Sequence, residues 1–272
     1  MKRVILFSPK GYVGSYLAER LRKENDIQLY EMTRDSDWNE YEESTYDALI
    51  YSAAVTSGRN ETADKYVQDN VVTAVSVVKF CEEHDVKRII YLSTDEIYGE
   101  LNAEIVNEKT IMINPNLYAS TKYLAEKIIA SSHIPYYILR LPGIVGKEWG
   151  KNFVYSLMTR IKNNDAIELY NMDKDFNNVV YLEDLINFIV VLCTRIENSP
   201  NEIFLLGNTE RMKLGDIALY IKEIYQSASQ LKNIDAQQKR YFLLDVSKAV
   251  QYGYSSKKIK NIIDELYQIQ KE

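Results

Sequence analysis

Val4-Ile5-Leu6-Phe7-Ser8-Pro9-Lys10-Gly11-Tyr12-Val13-Gly14 reads as a short buried strand, a glycine-containing turn and the start of a helix. Four apolar residues bounded by turn formers suit a strand covered on both faces, and Val13, Tyr16, Leu17, Arg20 and Leu21 follow at helical spacing. The alternation continues outward. Ile27 to Met32 is a second strand, and Asp47-Ala48-Leu49-Ile50-Tyr51-Ser52-Ala53-Ala54 a third that ends in small residues. A helical pattern covers 62–84, with Val67, Val71, Ala74, Val75 and Val78 on its apolar side. Arg88 to Ser93 and Tyr136 to Arg140 are further strands, with a helix around Tyr118 between them. Strands alternating with helices predict parallel βαβ units with right-handed crossovers, hence an α/β chain with a doubly wound parallel sheet.

The turn after the first strand carries chemistry. In the dinucleotide fingerprint, three glycines serve the tight turn, the close approach of backbone to a pyrophosphate, and helix–strand packing. Gly11 and Gly14 hold the second and third places, and Ser8 holds the first. The helix beginning near Gly11, with Tyr12 and Val13 in its first turn, offers free N–H groups and a positive dipole end to a phosphate. Ser8 followed by Pro9 is a departure. A non-glycine residue at positive φ costs about 1 kcal/mol, and Pro fixes the next φ at about −65°. Nucleotide binding is the expectation, at a remodelled turn; the alternative is an α/β protein that kept the turn and lost the ligand. The second strand of such folds ends in an acidic residue on the adenosine ribose. Here Met32-Thr33-Arg34 falls at that place, just after Glu31. Arg34 suits a ribose 2′-phosphate and Glu31 a plain hydroxyl, so the reading leans to NADP over NAD and keeps both.

Beyond Gly143 the pattern loosens, with helical stretches near 152–163, 183–197, 213–229 and 257–270 and short strands near 167–170 and 202–206. The expected division is a Rossmann-like dinucleotide-binding domain over 1–145 and a smaller, interleaved mixed α/β substrate lobe over 146–272. A chain of 272 residues, 46% of them hydrophobic, can bury a full core. Its net charge of −6 argues against a general nucleic-acid binder. Cys81 and Cys193 stand alone in apolar stretches and read as buried free thiols of a reducing compartment. His84 and His133 lie in no ligand pattern, so no metal site is expected. The apolar run after Met1-Lys2-Arg3 is too short for a signal peptide, and no stretch approaches the roughly 20 apolar residues of a membrane span. A cytoplasmic protein with no membrane partner is expected.

Tyr118 and Lys122 share one face of a helix at a spacing of four. An ammonium beside a phenol lowers its pKa from about 10 and makes an acid/base for a sugar or alcohol hydroxyl. Alone the pattern is weak in a chain with 22 tyrosines. Ordered with the rest it is strong, and the chain resembles the extended short-chain dehydrogenase/reductases, within them the NAD(P)-dependent nucleotide-sugar epimerases and dehydratases. The segments that carry the resemblance are Asp47 to Ala54, Ser93-Thr94-Asp95-Glu96-Ile97-Tyr98-Gly99, Tyr118-Ala119-Ser120-Thr121-Lys122-Tyr123-Leu124-Ala125-Glu126, Leu139 to Gly146, Val180 to Leu185 and Asp245 to Ala249, with Asn70 at the family's Asn.

The resemblance implies roles. Tyr118 is the acid/base, Lys122 lowers its pKa and holds the nicotinamide ribose, and Thr94 bonds the sugar C4 oxygen. Ser52, Ala53 and Ala54, with Asn70 and Ser93, line the cofactor. Asp95 and Glu96 supply the acid and base of a 4,6-dehydratase if both reach substrate, which requires the strand to end by Thr94. Asn177 stands where the family places an Arg on the nucleotide diphosphate, so a 4-epimerase or 4-keto reductase is ranked above a dehydratase, in surface-glycan biosynthesis. The alternative is a non-catalytic nucleotide-binding or scaffolding protein on the same fold. The resemblance also implies a homodimer through a four-helix bundle, to which Val77, Phe80, Tyr123 and Ile128 are expected to contribute.

Overall fold

A computed structural model describes residues 1–41, 45–53, 61–101, 103–147, 152–195, 200–234 and 241–271. Six strands form the main sheet: β1 (Lys2–Phe7), β2 (Ile27–Met32), β3 (Ala48–Tyr51), β4 (Ile89–Thr94), β5 (Tyr136–Leu141) and β6 (Glu202–Leu205). Their spatial order is β2-β1-β3-β4-β5-β6. The β1–β2, β1–β3, β3–β4 and β4–β5 pairs are parallel, with Ile5 opposite both Tyr30 and Leu49. Val4 to Phe7 and all of β3 and β4 are buried, as continuous apolar runs require when helices cover both faces. The order reverses direction between β1 and β3, and ligands of open α/β sheets bind at the carboxyl ends of strands at such a point.

Two compact units divide the chain. The first comprises 1–100, 111–141 and 186–204 and holds the sheet. With it go α1 (Tyr12–Leu21), α2 (Ala63–Tyr66), α3 (Thr73–Glu83) and α4 (Leu117–Ser131). The second comprises 101–110, 142–185 and 205–272. Its core is made by α5 (Phe153–Lys162), α7 (Leu214–Tyr225) and α8 (Ile259–Ile269), with Leu157, Ile221 and Ile263 among the buried residues. Helix α6 (Leu182–Thr194) runs from the second unit into the first. The sequence reading groups 202–206 with the second lobe. In the fold Glu202–Leu205 instead extends the main sheet beside β5, because Phe204 packs on Tyr137 and Phe188.

Between α2 and α3 the helix widens into π turns over Val67–Val72, where the Thr73 N–H reaches back to the Gln68 carbonyl. The inward face of this stretch differs from the predicted one. Tyr66, Asp69, Asn70, Thr73, Ala74, Val77 and Val78 are buried, whereas Val67 and Val75 are exposed. Val77 and Phe80 belong to the core cluster and not to an outer face, a correction to the expected pairing surface. Cys81 and Cys193 are buried free thiols. Among the described residues no helix is long and apolar enough to cross a membrane.

Candidate active site

Strand β4 ends at Thr94 because the next residues leave the extended conformation. Asp95–Tyr98 form a 3-10 turn, and the Thr94 hydroxyl accepts the Glu96 N–H at 3.2 Å. Gly99 closes the turn at φ 64, with Ile113 O only 1.8 Å from where a Cβ would stand. No larger residue fits there. Helix α4 begins just beyond, capped by Asn116, whose carboxamide oxygen accepts the Ala119 N–H at 2.8 Å. The same carboxamide donates to Glu96 at 2.9 Å, tying a carboxylate to the helix start. Tyr118 sits in the first turn of α4, with its hydroxyl near enough to the Thr94 side chain to be influenced by it. Its ring packs near Tyr66, centroids 6.2 Å apart.

The electrostatics of Tyr118 differ from the expectation. Burial holds its hydroxyl well above the ordinary phenol range, and the charges of Glu96 and then Asp95 add to this; only the Thr94 side chain acts the other way. Lys122 does not lower it, because its ammonium is directed elsewhere. Its Nζ donates to the Leu92 carbonyl at 2.6 Å and lies 4.2 Å from the centre of the Tyr91 ring. Burial pulls this amine down to about 7, against the opposing charge of Glu126. Thr94, Asp95, Glu96 and Tyr118 are thus brought together, while Lys122 points into the protein beneath the end of β4.

One turn beyond Lys122, Glu126 forms a buried network that the sequence reading did not single out. Arg140 donates to its two oxygens at 3.2 and 2.8 Å, and the Ser93 hydroxyl donates to it as well. Arg140 also donates to the Tyr98 hydroxyl at 2.9 Å. Ser93, expected on the cofactor, therefore has its hydroxyl engaged with Glu126. A signal was present: Arg140 is the one charged residue in β5, Tyr-Tyr-Ile-Leu-Arg-Leu. An Arg in a buried strand requires a carboxylate partner.

At the end of β1, Ser8 has φ 73 and takes the left-handed conformation that the first glycine of the fingerprint would take. Gly14 is required by packing, since a Cβ there would lie 2.0 Å from Ser8 O. Gly11 is different. Its φ is −71, and a Cβ would meet Ser8 O and Oγ only at an ordinary 3.6 Å. The chain itself does not demand glycine at this position, whereas a pyrophosphate approaching the backbone would. Tyr12 opens α1, whose cap Gly11 provides no side-chain hydrogen bond. The Ser52 hydroxyl donates to Phe7 O at 2.8 Å and Ala53 packs on the sheet core, while Ala54 lies outside the described residues. Arg34 pairs with Asp69, to which Lys65 also donates at 2.7 Å. Asn70 donates to the Thr121 hydroxyl on α4 at 3.0 Å. The left-handed Ser8, the unforced Gly11 and the uncapped α1 fit a bound dinucleotide.

In the second unit Asn177 is buried, and its carboxamide bonds the backbone of Leu244 in both directions and that of Asn208. Its neighbours Phe176 and Asn178 line a cleft of about 440 Å³ together with Phe153, Tyr170, Tyr241 and Phe242.

The sheet order, the turn after β1 and the Thr94–Tyr118 pair define the class: a doubly wound α/β fold of the nucleotide-binding kind. A sequence profile of the NAD dependent epimerase/dehydratase family matches residues 9–207, and the chain belongs to that family of enzymes. Among its relatives is a dTDP-D-glucose 4,6-dehydratase of Dictyostelium discoideum, 27% identical over 173 residues. That match takes in 57% of this chain and only 40% of the Dictyostelium protein. The fold is similar to that of a UDP-glucuronic acid 4-epimerase from Bacillus cereus in complex with NAD, with a TM-score of 0.79 at 18% identity over 98% of this chain and 99% of that one. It is equally similar to RMD from Pseudomonas aeruginosa complexed with NADPH, with a TM-score of 0.79 at 16% identity over 99% and 98% of the two chains.

Proposed function

We propose that this chain transfers hydride and proton at C4 of a nucleotide-linked hexose, as a 4-keto reductase or 4-epimerase, with Tyr118 as the acid/base. The observation that carries the reading is the juxtaposition of the Thr94 and Tyr118 side chains at the carboxyl end of β4, close enough for Thr94 to influence the phenol. A nicotinamide dinucleotide, held by the Ser8–Gly14 turn, supplies the hydride chemistry. Thr94 positions the sugar C4 oxygen beside the Tyr118 hydroxyl. Because burial and the neighbouring carboxylates keep that hydroxyl protonated at neutral pH, Tyr118 begins as an acid. Giving its proton to a C4 carbonyl oxygen is the direction this setting favours. Lys122 enters through the family pattern.

Tyr118→Phe tests this reading. Turnover of nucleotide hexoses and their 4-keto forms should fall by about 100-fold or more, with NADH and NADPH binding by fluorescence retained. Turnover within threefold of the parent removes Tyr118 from the mechanism. A second reading, a 4,6-dehydratase, is favoured by one feature: β4 stops at Thr94, so that Asp95 and Glu96 both act on Tyr118. A product lighter by one water in the mass spectrum would select it.

We also propose a homodimer through the outer faces of α3 and α4. Val67 on the π stretch, Val75 on α3, and Leu117 and Leu124 on α4 are each more than two-fifths exposed, apolar surface that such pairing would cover. Light scattering at micromolar concentration should give twice the chain mass of 31.6 kDa, and a monomer mass sinks the idea.

A further inference from the structure

Arg34 follows the end of β2 in a turn that is itself fixed. The Thr33 N–H donates to Ser36 Oγ at 3.0 Å, and the Trp38 indole donates to Thr33 O at 2.8 Å. Trp38 is anchored in turn by edge contacts with Phe7 and Phe80. The Arg34 guanidinium is therefore presented from a rigid base, at the strand end where the adenosine ribose of a dinucleotide lies in this fold class. Opposite stands Asp69, on the π-helical stretch, with 5% of its side chain exposed. It takes hydrogen bonds from Arg34 and Lys65 together, and the fully buried Tyr51 feels the charges of both Arg34 and Asp69. Burial alone would raise the Asp69 carboxyl, but the two cations outweigh it and hold it below the usual carboxylate range. Asp69 is ionised at neutral pH.

A ribose 2′-phosphate brings two negative charges to this place; a plain 2′-hydroxyl brings none. Approaching Arg34, the phosphate meets a guanidinium already bonded to a fixed carboxylate, which Lys65 also shares. An exposed carboxylate would be screened, whereas one held at 5% exposure in low dielectric is not. We infer that Asp69 is the specificity-determining residue for the cofactor: by holding Arg34 in an ion pair it denies the guanidinium to a 2′-phosphate, and the chain takes NADH in preference to NADPH. This reverses the preference that Arg34 alone suggests. It rests on the dinucleotide reading of the turn after β1.

The test is direct binding, with no turnover required. NADH and NADPH are titrated into the full-length protein, and into its Asp69→Asn and Asp69→Asn/Arg34→Gln variants, with nucleotide fluorescence as the readout. The parent should bind NADH at least about tenfold more tightly than NADPH. Asp69→Asn, which keeps the shape and releases the guanidinium, should tighten NADPH by about tenfold or more while NADH changes less than about threefold. Adding Arg34→Gln should cancel that gain. A parent that prefers NADPH, or an Asp69→Asn variant with an unchanged ratio, overturns the inference and leaves the dinucleotide reading standing. Binding of neither nucleotide by a folded parent overturns both.

Discussion

At the β4–β5 end of the sheet Glu126 and Arg140 face each other with 3% of each side chain exposed. At the β1–β2 end Asp69 is placed almost as deeply, but its partner Arg34 keeps 49% of its side chain exposed. Both are arginine–carboxylate pairs in one compact unit, and both stand near residues assigned to chemistry. They differ in what can reach them. Water cannot reach Glu126 or Arg140, and the remaining bonding capacity of the pair is taken up by Ser93 and Tyr98. Such a pair serves as framework, fixing where β4 ends and α4 packs. Arg34 reaches solvent while its carboxylate stays buried, so the second pair stands where a ligand can meet it. Exposure of one partner separates the two roles.

The largest expected effect follows from breaking the framework pair. Glu126→Gln leaves Arg140 charged and uncompensated in the interior, which costs about 3–5 kcal/mol. Urea denaturation measures this directly. A loss below about 1 kcal/mol would mean that the buried charge is solvated and would end the contrast. Glu126→Leu with Arg140→Met should recover part of the loss, since replacing both members of a buried pair is far cheaper than removing one. Recovery stays incomplete because the Ser93 and Tyr98 hydroxyls then lose their partner. Asp69→Asn is the matched experiment at the other end. Arg34 and Lys65, both about half exposed, relax into water, and the loss should stay below about 1 kcal/mol. A loss as large as that of Glu126→Gln would make the second pair framework too, and would weaken its role in choosing a cofactor.

The same contrast marks what could be read from the chain. The alternation of strands and helices was legible because burial on both faces leaves continuous apolar runs, and the glycine turn and the α4 motif fell in order along it. Thr94, Tyr118 and their acidic neighbours come together as their order implies. The helix from 63 to 83 was read correctly only in part: Ala74 and Val78 face inward as read, but Val67 and Val75 face outward while Asp69, Asn70 and Thr73, each with a partner, face inward. Hydrophobicity locates a core only where buried groups are apolar. Lys122 was visible as a residue but not in direction, since the pull of the Leu92 carbonyl and the Tyr91 ring depends on β4 lying beneath α4. Asn177 likewise was legible as a departure from the family's Arg, yet its engagement with Leu244 joins segments 67 residues apart.

Ser8 provides the smallest test, on the solvent-reaching side of the comparison. Its φ of 73 is a conformation that glycine adopts at no steric cost and that serine adopts at about 1 kcal/mol. The turn cannot relax, because Gly14 closes on Ser8 O and leaves no room for a Cβ. Ser8→Gly removes the strain but also frees the unfolded chain, which returns about 0.4–1 kcal/mol in entropy. The two nearly cancel. The expected result is a stabilisation of a few tenths of a kcal/mol, at most about 0.6, read as a higher urea midpoint at unchanged slope. A destabilisation beyond about 1 kcal/mol would mean that the serine side chain anchors the turn. The region at β1 and β2 would then be framework, as Glu126 and Arg140 are.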